Sequence, residues 1–483
     1  MLLKMKSIAG LESRGCTWPP VNYGDRILVL KYAYLVAPPQ RWDVVVFKAP
    51  AEPEKYDYSQ NYIKRLVGLP GDMLEVLDGE LFVSADEGAT WTIQTRPRSV
   101  QDALWRIVYD NDYYPQQLQR SAAGVGENPW KQPWQPEAGS VGWNVGVDAA
   151  TGRVFHFDST SGTGTLVYNP VAIQTSQTLT DYLAYDLGRN GNIRRPNPDG
   201  EGSRDDSDRN NVSDLKLSLT YSRQGGDGPL QLGLTKINDT FTAEFTANTA
   251  TVTHDSRAGH SVIGQPVAFD GAPGRSHAID FVNVDYKVTL RIDGVDVITS
   301  TPQEYAPDVN ALQQAWKQEV SFPQPRVSIT ASNQQASLSH ISLWRNIYYT
   351  NSRSNPDLVW GTPRNPVQLG PDEYFTMGDN SLISADARYW NSPIDLPHEG
   401  LNVQAGRVPG DSCSAKPSSS TGLPASASSD PTGMPLFPIS RICGLSTNLP
   451  SAPSPTRPAY TAADRECSVR PSIRSLRRRG QGR

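Results

Sequence analysis

Short stretches of alternating apolar and polar residues dominate the chain, and a period of two predicts strands rather than helices. Five such stretches lie close together near the start of the chain. The last two flank Asp78 and Gly79, a pair that supplies the positive φ angles of a type I′ hairpin turn. The predicted strands are 24–34, 41–47, 61–67, 73–77 and 80–83. This part of the chain therefore predicts a compact β structure that includes a hairpin.

Regular alternation sets in again over residues 210–350 and is typical of a β-sandwich. The strands predicted there are 215–221, 241–246, 277–282, 287–294, 326–331 and 339–345. Residues 84–209 are less regular, and they predict a short amphipathic helix at 99–109, a loop at 128–136 and strands at 141–147 and 152–157. The whole pattern predicts a mainly β protein.

A length of 483 residues predicts two or three domains. The formal net charge of -5 gives no basic field, so we expect no nucleic-acid partner. The four cysteines are Cys16, Cys413, Cys443 and Cys467, and they leave the body of the chain without a disulfide framework or a cysteine metal site. No apolar run reaches the ~18 residues of a membrane-spanning helix, so the chain as written is predicted to be soluble.

Lys64 is a candidate for chemistry because it interrupts an apolar strand. Burial disfavours the ammonium form, so a lysine that points into the core is a candidate general base at neutral pH. The alternative is an ordinary strand lysine whose amine reaches solvent or protects a sheet edge.

The sequence around Lys64 contains motifs that resemble those of a known protein family. Residues 24–29 read GDRILV, 42–47 read WDVVVF and 62–72 read YIKRLVGLPGD. In this order and spacing they resemble the catalytic core of bacterial type I signal peptidases, which are membrane-anchored serine/lysine endopeptidases. The resemblance implies a β-barrel core in which Lys64 is the general base.

Residues 378–388, GDNSLISADAR, are similar to a second conserved sequence motif, or box, of the same family. The resemblance implies that Ser384 hydrogen-bonds the catalytic lysine and that Asp386 and Arg388 brace the region. Structural support from Asp379 and Asn380 is implied in the same way. Ala387 stands where the family has a serine, so a hydroxyl group is missing. We therefore expect slightly altered support of the residues around the site. Without the resemblance, the box reads as a plain turn with a surface ion pair.

The nucleophile of this chemistry is not identified. In the family a serine in an S-G-S-M-x-P-T box precedes the GDRILV strand, whereas Ser7 and Ser13 lack the Met-x-Pro context. We therefore expect the chain as written to be inactive as a peptidase. Two explanations are an incomplete gene product, which lacks the membrane anchor and the serine box, and a pseudoenzyme retained for its insertion.

The C-terminal residues favour the first explanation. Residues 407–411 resemble the family, but a Pro/Ser-rich tail follows instead of a closing strand, and its composition predicts no strand. A single-base frame change near Asp411 is our hypothesis for this difference. Sequencing the gene tests it.

The predicted organisation divides the chain at these positions. The segments are a leader outside the family pattern at 1–20, the first half of the peptidase core at 21–83, the irregular part of an insertion at 84–209, a β-sandwich insertion at 210–350, the second half of the core at 366–411 and the tail at 412–483.

By resemblance, the function is endoproteolytic removal of signal peptides from exported proteins, at the outer face of the cytoplasmic membrane. The implied partners are signal peptides and, for the full-length family member, the membrane. No cofactor is implied. A weaker expectation is self-cleavage by a Ser/Lys dyad.

A second function remains open because residues 290–297 resemble the hairpin of concanavalin-like and laminin-G-like jelly rolls. Such sandwiches often bind glycans, so a non-catalytic glycan- or envelope-binding protein is the alternative. Asp205, Asp206 and Asp208 have the oxygen ligands that calcium prefers, although a solvated loop is the commoner outcome of such a run. Three histidines of this region, His254, His260 and His277, lack the tight spacing of metal ligands. We therefore expect no metal site.

Overall fold

A computed structural model describes residues 29–30, 34, 37–48, 61–113, 132–146, 152–169, 179–181, 210–351, 356–382, 384–396, 401–410 and 413–417. Strands, numbered in chain order, form most of the regular structure, which confirms the predicted mainly β fold class. Within these residues, no helix is long and apolar enough to cross a membrane.

One six-stranded sheet is built from both ends of the described chain. Its strands, in spatial order, are β1 (Val29–Leu30), β25 (Cys413–Pro417), β2 (Val44–Lys48), β3 (Asn61–Gly68), β21 (Glu373–Met377) and β24 (Val408–Pro409). β3 is antiparallel to β2 on one side, where Val45 is opposite Lys64, and to β21 on the other, where Met377 is opposite Arg65. The sheet therefore places the two predicted motif boxes side by side.

The strand at Cys413–Pro417 corrects an expectation, because the prediction that the tail forms no strand was wrong for these five residues. β25 pairs with β1 and with β2, and Ala415 is opposite Val46. The physical reason is that a ladder is made by backbone N–H and C=O groups, so a strand edge accepts a partner of unfavourable composition.

Two smaller sheets complete this part. They contain β20 (Val367–Gln368), β4 (Met73–Leu77), β5 (Glu80–Ser84) and β6 (Thr92–Ile93) in one sheet, and β22 (Ile394–Leu396) and β23 (Leu401–Val403) in the other. The turn between β4 and β5 has φ angles of 49° at Asp78 and 78° at Gly79, which confirms the predicted hairpin. A shared apolar core includes Trp42, Phe47, Leu66, Leu74, Phe375, Met377 and Trp390.

Thirteen strands between these segments form one large sheet. They are β7 (Arg106–Asp110), β8 (Trp134–Pro136), β9 (Trp143–Asn144), β10 (Val154–Tyr168), β11 (Leu215–Gly226), β12 (Leu230–Lys236), β13 (Asp239–Phe245), β14 (Thr249–Ser256), β15 (Gly259–Ala268), β16 (Ser276–Val284), β17 (Lys287–Ile292), β18 (Val295–Thr299) and β19 (Val327–Arg345).

The large sheet curls around its own core. Its main path runs from β15 through β14, β13, β12, β19, β11, β16 and β17 to β18. The two ends of this path approach each other, since a Cβ added to Gly264 on β15 would lie 3.1 Å from Ile298 Cγ2 on β18. Alternate residues of β11 and β12 are buried, as a strand with one face on a core requires.

Several local predictions for this sheet were wrong. Residues 99–109 are not one helix: α1 (Arg98–Leu104) ends at Trp105, whose ψ of 134° is extended, and β7 follows. Pairing of β7 with β19 outweighs the helical periodicity. The predicted loop 128–136 contains β8, which pairs with β10. Residues 327–331 and 339–345 are strand as predicted, but they belong to the single strand β19 and not to two separate strands.

Other elements had no sequence prediction. They include the helix α2 (Val309–Lys317), 3-10 turns at Asn111–Tyr113, Pro356–Leu358 and Ala387–Tyr389, and the strands β6, β12, β14, β15, β20, β21, β22, β23 and β24. Asp308 caps α2 by accepting a hydrogen bond from the Ala311 N–H. The leader, both candidate serines Ser7 and Ser13, the acidic run around Asp206 and the tail beyond Pro417 lie outside the described residues.

Candidate functional site

Lys64 lies near the middle of β3, where the strand changes from partly exposed to buried. Its side chain is half-buried, and Nζ donates a hydrogen bond to Ser384 Oγ over 3.0 Å. The Tyr62 ring lies on one side of the amine, with its centroid 5.3 Å from Nζ. The structure thus brings together the lysine and the serine that the two motif boxes predicted, 320 positions apart.

Burial lowers the pKa of Lys64 below the ordinary lysine value of 10.5. The nearby Arg388 guanidinium lowers this pKa further, whereas the carboxylates of Asp386 and Asp379 raise it. Desolvation is the largest of these effects, so the net direction is downward. A lowered pKa increases the fraction of neutral amine at physiological pH, and only the neutral amine accepts a proton.

Gly378 lets Ser384 approach the lysine. A Cβ at position 378 would lie 2.1 Å from Ser384 Oγ and 3.6 Å from Lys64 Nζ. Since real Cβ atoms do not approach oxygen so closely, any side chain at position 378 displaces the serine. The glycine of the second box is therefore required by packing against the candidate site.

Asp386 and Arg388 form a fully buried pair beneath this contact, and both have 0% exposure. Arg388 donates from Nε to Asp386 Oδ1 over 2.8 Å and from Nη2 to Asp386 Oδ2 over 2.6 Å. The same Oδ2 accepts the Gly378 N–H over 2.8 Å. The pair thus fixes the backbone of the residue that packs against Ser384. It is not the exposed ion pair of the plain-turn alternative.

Asp379 and Asn380 occupy the turn after β21 and are half-buried. Asp379 accepts two hydrogen bonds from Arg65, and Arg65 also donates to the Trp42 carbonyl over 2.8 Å. The turn is therefore tied to β3 one residue beyond Lys64. Ala387, which replaces the family serine, is completely buried in the short 3-10 turn.

Three nearby residues were missed by the sequence reasoning. Ser381 Oγ accepts from Arg388 Nη1 over 2.8 Å, and the Thr350 carbonyl accepts from the same nitrogen over 2.6 Å. Trp390 packs against Tyr62, with ring centroids 6.3 Å apart. Ser381 lies inside a predicted box but at a variable position of its pattern, and Thr350 lies outside both boxes, so no sequence signal marked either.

One acidic cluster has the spacing of metal ligands, since carboxylate oxygens of Glu80, Asp214 and Asp285 lie within 4.8 Å of one another. The Arg96 guanidinium contacts all three carboxylates. Lys236 Nζ also lies 2.7 Å from Asp214 Oδ1. These buried acids therefore belong to an ion-pair cluster whose positive charges are protein side chains.

Each histidine considered as a ligand contacts a carboxylate. His254 lies 2.9 Å from Asp239. His260 lies 2.7 Å from Asp255, and His277 lies 2.8 Å from Asp293. The three contacts are to three different carboxylates.

Comparison with known proteins supports the first motif region. Residues 13–121 match the family described as signal peptidase, peptidase S26. Thylakoidal processing peptidase 1 of Arabidopsis thaliana is 43% identical over 72 residues, which are 14% of this chain and 21% of that protein. Signal peptidase I of Pseudomonas fluorescens is 35% identical over 102 residues, or 18% of this chain and 34% of that protein. These matches confirm the predicted resemblance to type I signal peptidases.

The chain spans only about a fifth to a third of the length of these relatives. Among solved structures, a galectin-like protein of Bacillus subtilis is aligned over 51% of this chain and 100% of its own, with 7% identity and a TM-score of 0.27. The carbohydrate-binding module CBM66 of Bacillus subtilis is aligned over 44% and 94%, with 10% identity and a TM-score of 0.25.

Proposed function

We propose that this chain carries the general-base half of a serine endopeptidase that removes signal peptides from exported proteins. The observation that carries the proposal is the 3.0 Å hydrogen bond from Lys64 Nζ to Ser384 Oγ in a half-buried site. Residues 13–121 match the signal peptidase family, and a peptidase of that family supplies the reaction class.

In the proposed reaction, neutral Lys64 accepts the hydroxyl proton of a serine nucleophile as that oxygen attacks the peptide carbonyl. Ser384 orients the lysine amine through their hydrogen bond. Asp386 and Arg388 hold the backbone beside Ser384, and Arg65 with Asp379 holds the turn against β3. The proton then passes from Lys64 to the leaving amine as the peptide C–N bond breaks, which leaves the signal peptide as an acyl group on the serine. Water, deprotonated by Lys64, then hydrolyses this ester, and the serine oxygen takes the proton back as the signal peptide is released.

The proposed substrate position follows from the pairing of β3. Residues 65–68 of β3 pair with β21, whereas residues 61–64 pair with β2 alone among the described strands. The side of β3 next to Lys64 therefore presents backbone groups to an extended peptide, in the manner of β-strand addition. Ile63, which is 45% exposed, lies in this stretch. By the same resemblance, the proposed location is the outer face of the cytoplasmic membrane.

The proposed reaction needs a serine that attacks the substrate. This serine is not identified among the described residues. Neither Ser7 nor Ser13 has the sequence context of the family nucleophile, so we propose that the chain as written does not turn over signal peptides. Loss of the nucleophile in a dissected serine protease lowers turnover by a factor on the order of 10⁶.

The test compares three proteins on a synthetic signal peptide. They are the chain as written, a form with the family's serine box in place of residues 7–20, and that form with Lys64→Met. We expect cleavage by the second protein alone. Equal cleavage by the second and third proteins would exclude Lys64 as the base. A glycan array on the chain as written tests the binding-protein alternative, which gains support only if specific glycan binding accompanies the absence of cleavage.

A further inference from the structure

The segment that follows β19 leaves the large sheet and passes behind the candidate site. Its residue Thr350 accepts a 2.6 Å hydrogen bond from Arg388 Nη1 through the carbonyl oxygen. The Thr350 N–H donates to Ser381 Oγ over 2.8 Å, and Ser381 Oγ also accepts from Arg388 Nη1 over 2.8 Å. Thr350, Ser381 and Arg388 thus close a ring of three hydrogen bonds. They are 6%, 5% and 0% exposed, so water does not compete strongly for these bonds.

Thr350 is itself held by a buried carboxylate. Its Oγ1 donates to Asp181 Oδ2 over 2.8 Å. Asp181 is 5% exposed, and the same Oδ2 accepts from Asn210 Nδ2 over 2.9 Å. Asp181, Asn210 and Thr350 all lie between the two motif boxes. The large intervening region therefore reaches Arg388 through side-chain and backbone bonds.

The contacts continue from Arg388 to the lysine. Arg388 binds both oxygens of Asp386, and Asp386 Oδ2 accepts the Gly378 N–H. Gly378 packs against Ser384, whose Oγ accepts the hydrogen bond from Lys64. Every step is a hydrogen bond or a van der Waals contact between buried or half-buried groups. These contacts form a continuous physical connection from Arg388 to Lys64.

We propose that Thr350 is a positioning residue for Lys64, acting through Arg388 and Asp386, so that the region between the two boxes contributes to the candidate site. The inference rests on the proposed role of Lys64 as a base. Two physical effects connect the position of Arg388 to the titration of Lys64. Arg388 is a positive charge near the Lys64 amine, and the packing beneath Ser384 keeps the amine partly out of water. Loosening of Arg388 weakens both effects.

The experiment follows the titration of Lys64 by NMR in the full chain labelled with [13C]lysine, with the Cε signal assigned by Lys64→Arg. Thr350→Val keeps the shape of the side chain but removes its bond to Asp181. Thr350→Ser restores a hydroxyl donor. Thr289→Val is the matched control, because Thr289 is 7% exposed and lies on β17, away from the candidate site.

We expect Thr350→Val to raise the titration midpoint of Lys64 by about half a pH unit or more, which is about a threefold loss of neutral amine at a given pH. Thr350→Ser and Thr289→Val should titrate like the parent chain. A purely structural role for Thr350 predicts a lower unfolding midpoint with an unchanged Lys64 titration, and that outcome would overturn the proposal.

If Thr350→Val does not fold, Asp181→Asn provides the decision, because it replaces a charge-assisted bond to Thr350 by a neutral one without creating a cavity. A smaller upward shift is then expected, and no shift overturns the proposal. The titration needs no turnover. Absence of signal-peptide cleavage by the serine-box form would therefore refute the proposed function. The Lys64 titration would still show whether Thr350 positions the lysine.

Discussion

Arg65 on β3 and Asp379 after β21 form an ion pair with two hydrogen bonds, although 314 positions separate them in the chain. The bonds join Nε to Oδ1 over 2.8 Å and Nη2 to Oδ2 over 2.7 Å. The Arg65 side chain is 7% exposed and that of Asp379 is 33% exposed. Because this pair lies next to Lys64, it fixes the two motif boxes relative to each other at the candidate base.

Replacement of Asp379 by asparagine should therefore be destabilising. It leaves the Arg65 charge partly buried without its counterion, and we expect a loss of roughly 1–3 kcal/mol in the free energy of unfolding, less than for a fully buried pair. Urea denaturation measures the loss. Glu137→Gln is the control, since Glu137 pairs with Arg326 where both side chains are nearly half exposed. Equal effects of the two substitutions would contradict the importance of the Arg65 pair.

Gly378→Ala tests the close contact beneath Ser384. The new methyl group would begin 2.1 Å from Ser384 Oγ, so the serine must move away from Lys64. Overpacking of this kind costs about 1–3 kcal/mol, and we expect that loss in thermal denaturation together with a changed Lys64 titration. Gly225→Ala is the control, because the nearest atom to its Cβ is Gln335 Oε1 at 3.3 Å. Parental behaviour of Gly378→Ala would show that the contact is not restrictive.

The sequence was sufficient to predict the elements that depend on local chemistry. The Asp78 and Gly79 turn was predictable because few residues adopt positive φ at both central positions. Lys64, Ser384, Asp386 and Arg388 were identified through motif resemblance. Their mutual distances were not predictable from local pattern, because they depend on pairing between strands about 300 positions apart.

The remaining errors arose where a distant partner decided the structure. Ile107 belongs to an amphipathic pattern of helical type, but β19 supplies a backbone edge that makes it part of β7. Cys413–Pro417 has the composition of a loop and still pairs with β2. Thr350 reaches Arg388 through its carbonyl oxygen, a group that every residue type carries. Backbone contacts of this kind leave no mark on side-chain identity.

The stability of the protein should depend on pH through Glu75. This residue is 1% exposed on β4, accepts a hydrogen bond from Gln313 Nε2 on α2 over 2.7 Å, and burial raises its pKa to about 7 from 4.5. Below pH 4.5 the carboxyl group is neutral in both the folded and the unfolded chain. As the pH rises from 4.5 to about 7, the unfolded chain loses this proton first, so the folded state loses relative stability.

Glu75→Gln removes the titration and keeps a group that accepts the bond from Gln313. At pH 8 the variant should be more stable than the parent by about 3 kcal/mol, because the pKa of Glu75 is raised from 4.5 to about 7 and each unit corresponds to about 1.4 kcal/mol. The difference should disappear near pH 4. Urea denaturation at pH 4, 6 and 8 provides the measurement. A difference that does not change with pH would exclude Glu75 as its source.

Arg96 should be the most sensitive charged residue at the junction of the β4–β5 hairpin and the large sheet. Its side chain is completely buried and contacts Glu80, Asp214 and Asp285. Arg96→Met leaves these carboxylates buried within 4.8 Å of one another and without the guanidinium. Removing one partner of a buried ion pair costs about 3–5 kcal/mol, so we expect at least that loss in urea denaturation.

Arg98→Met is the matched control, because Arg98 is half exposed and lies 3.6 Å from Asp102 and 3.5 Å from Asp296. Its loss should cost less than about 1 kcal/mol. A loss for Arg96→Met no larger than that for Arg98→Met would contradict the dependence of this buried cluster on the Arg96 guanidinium.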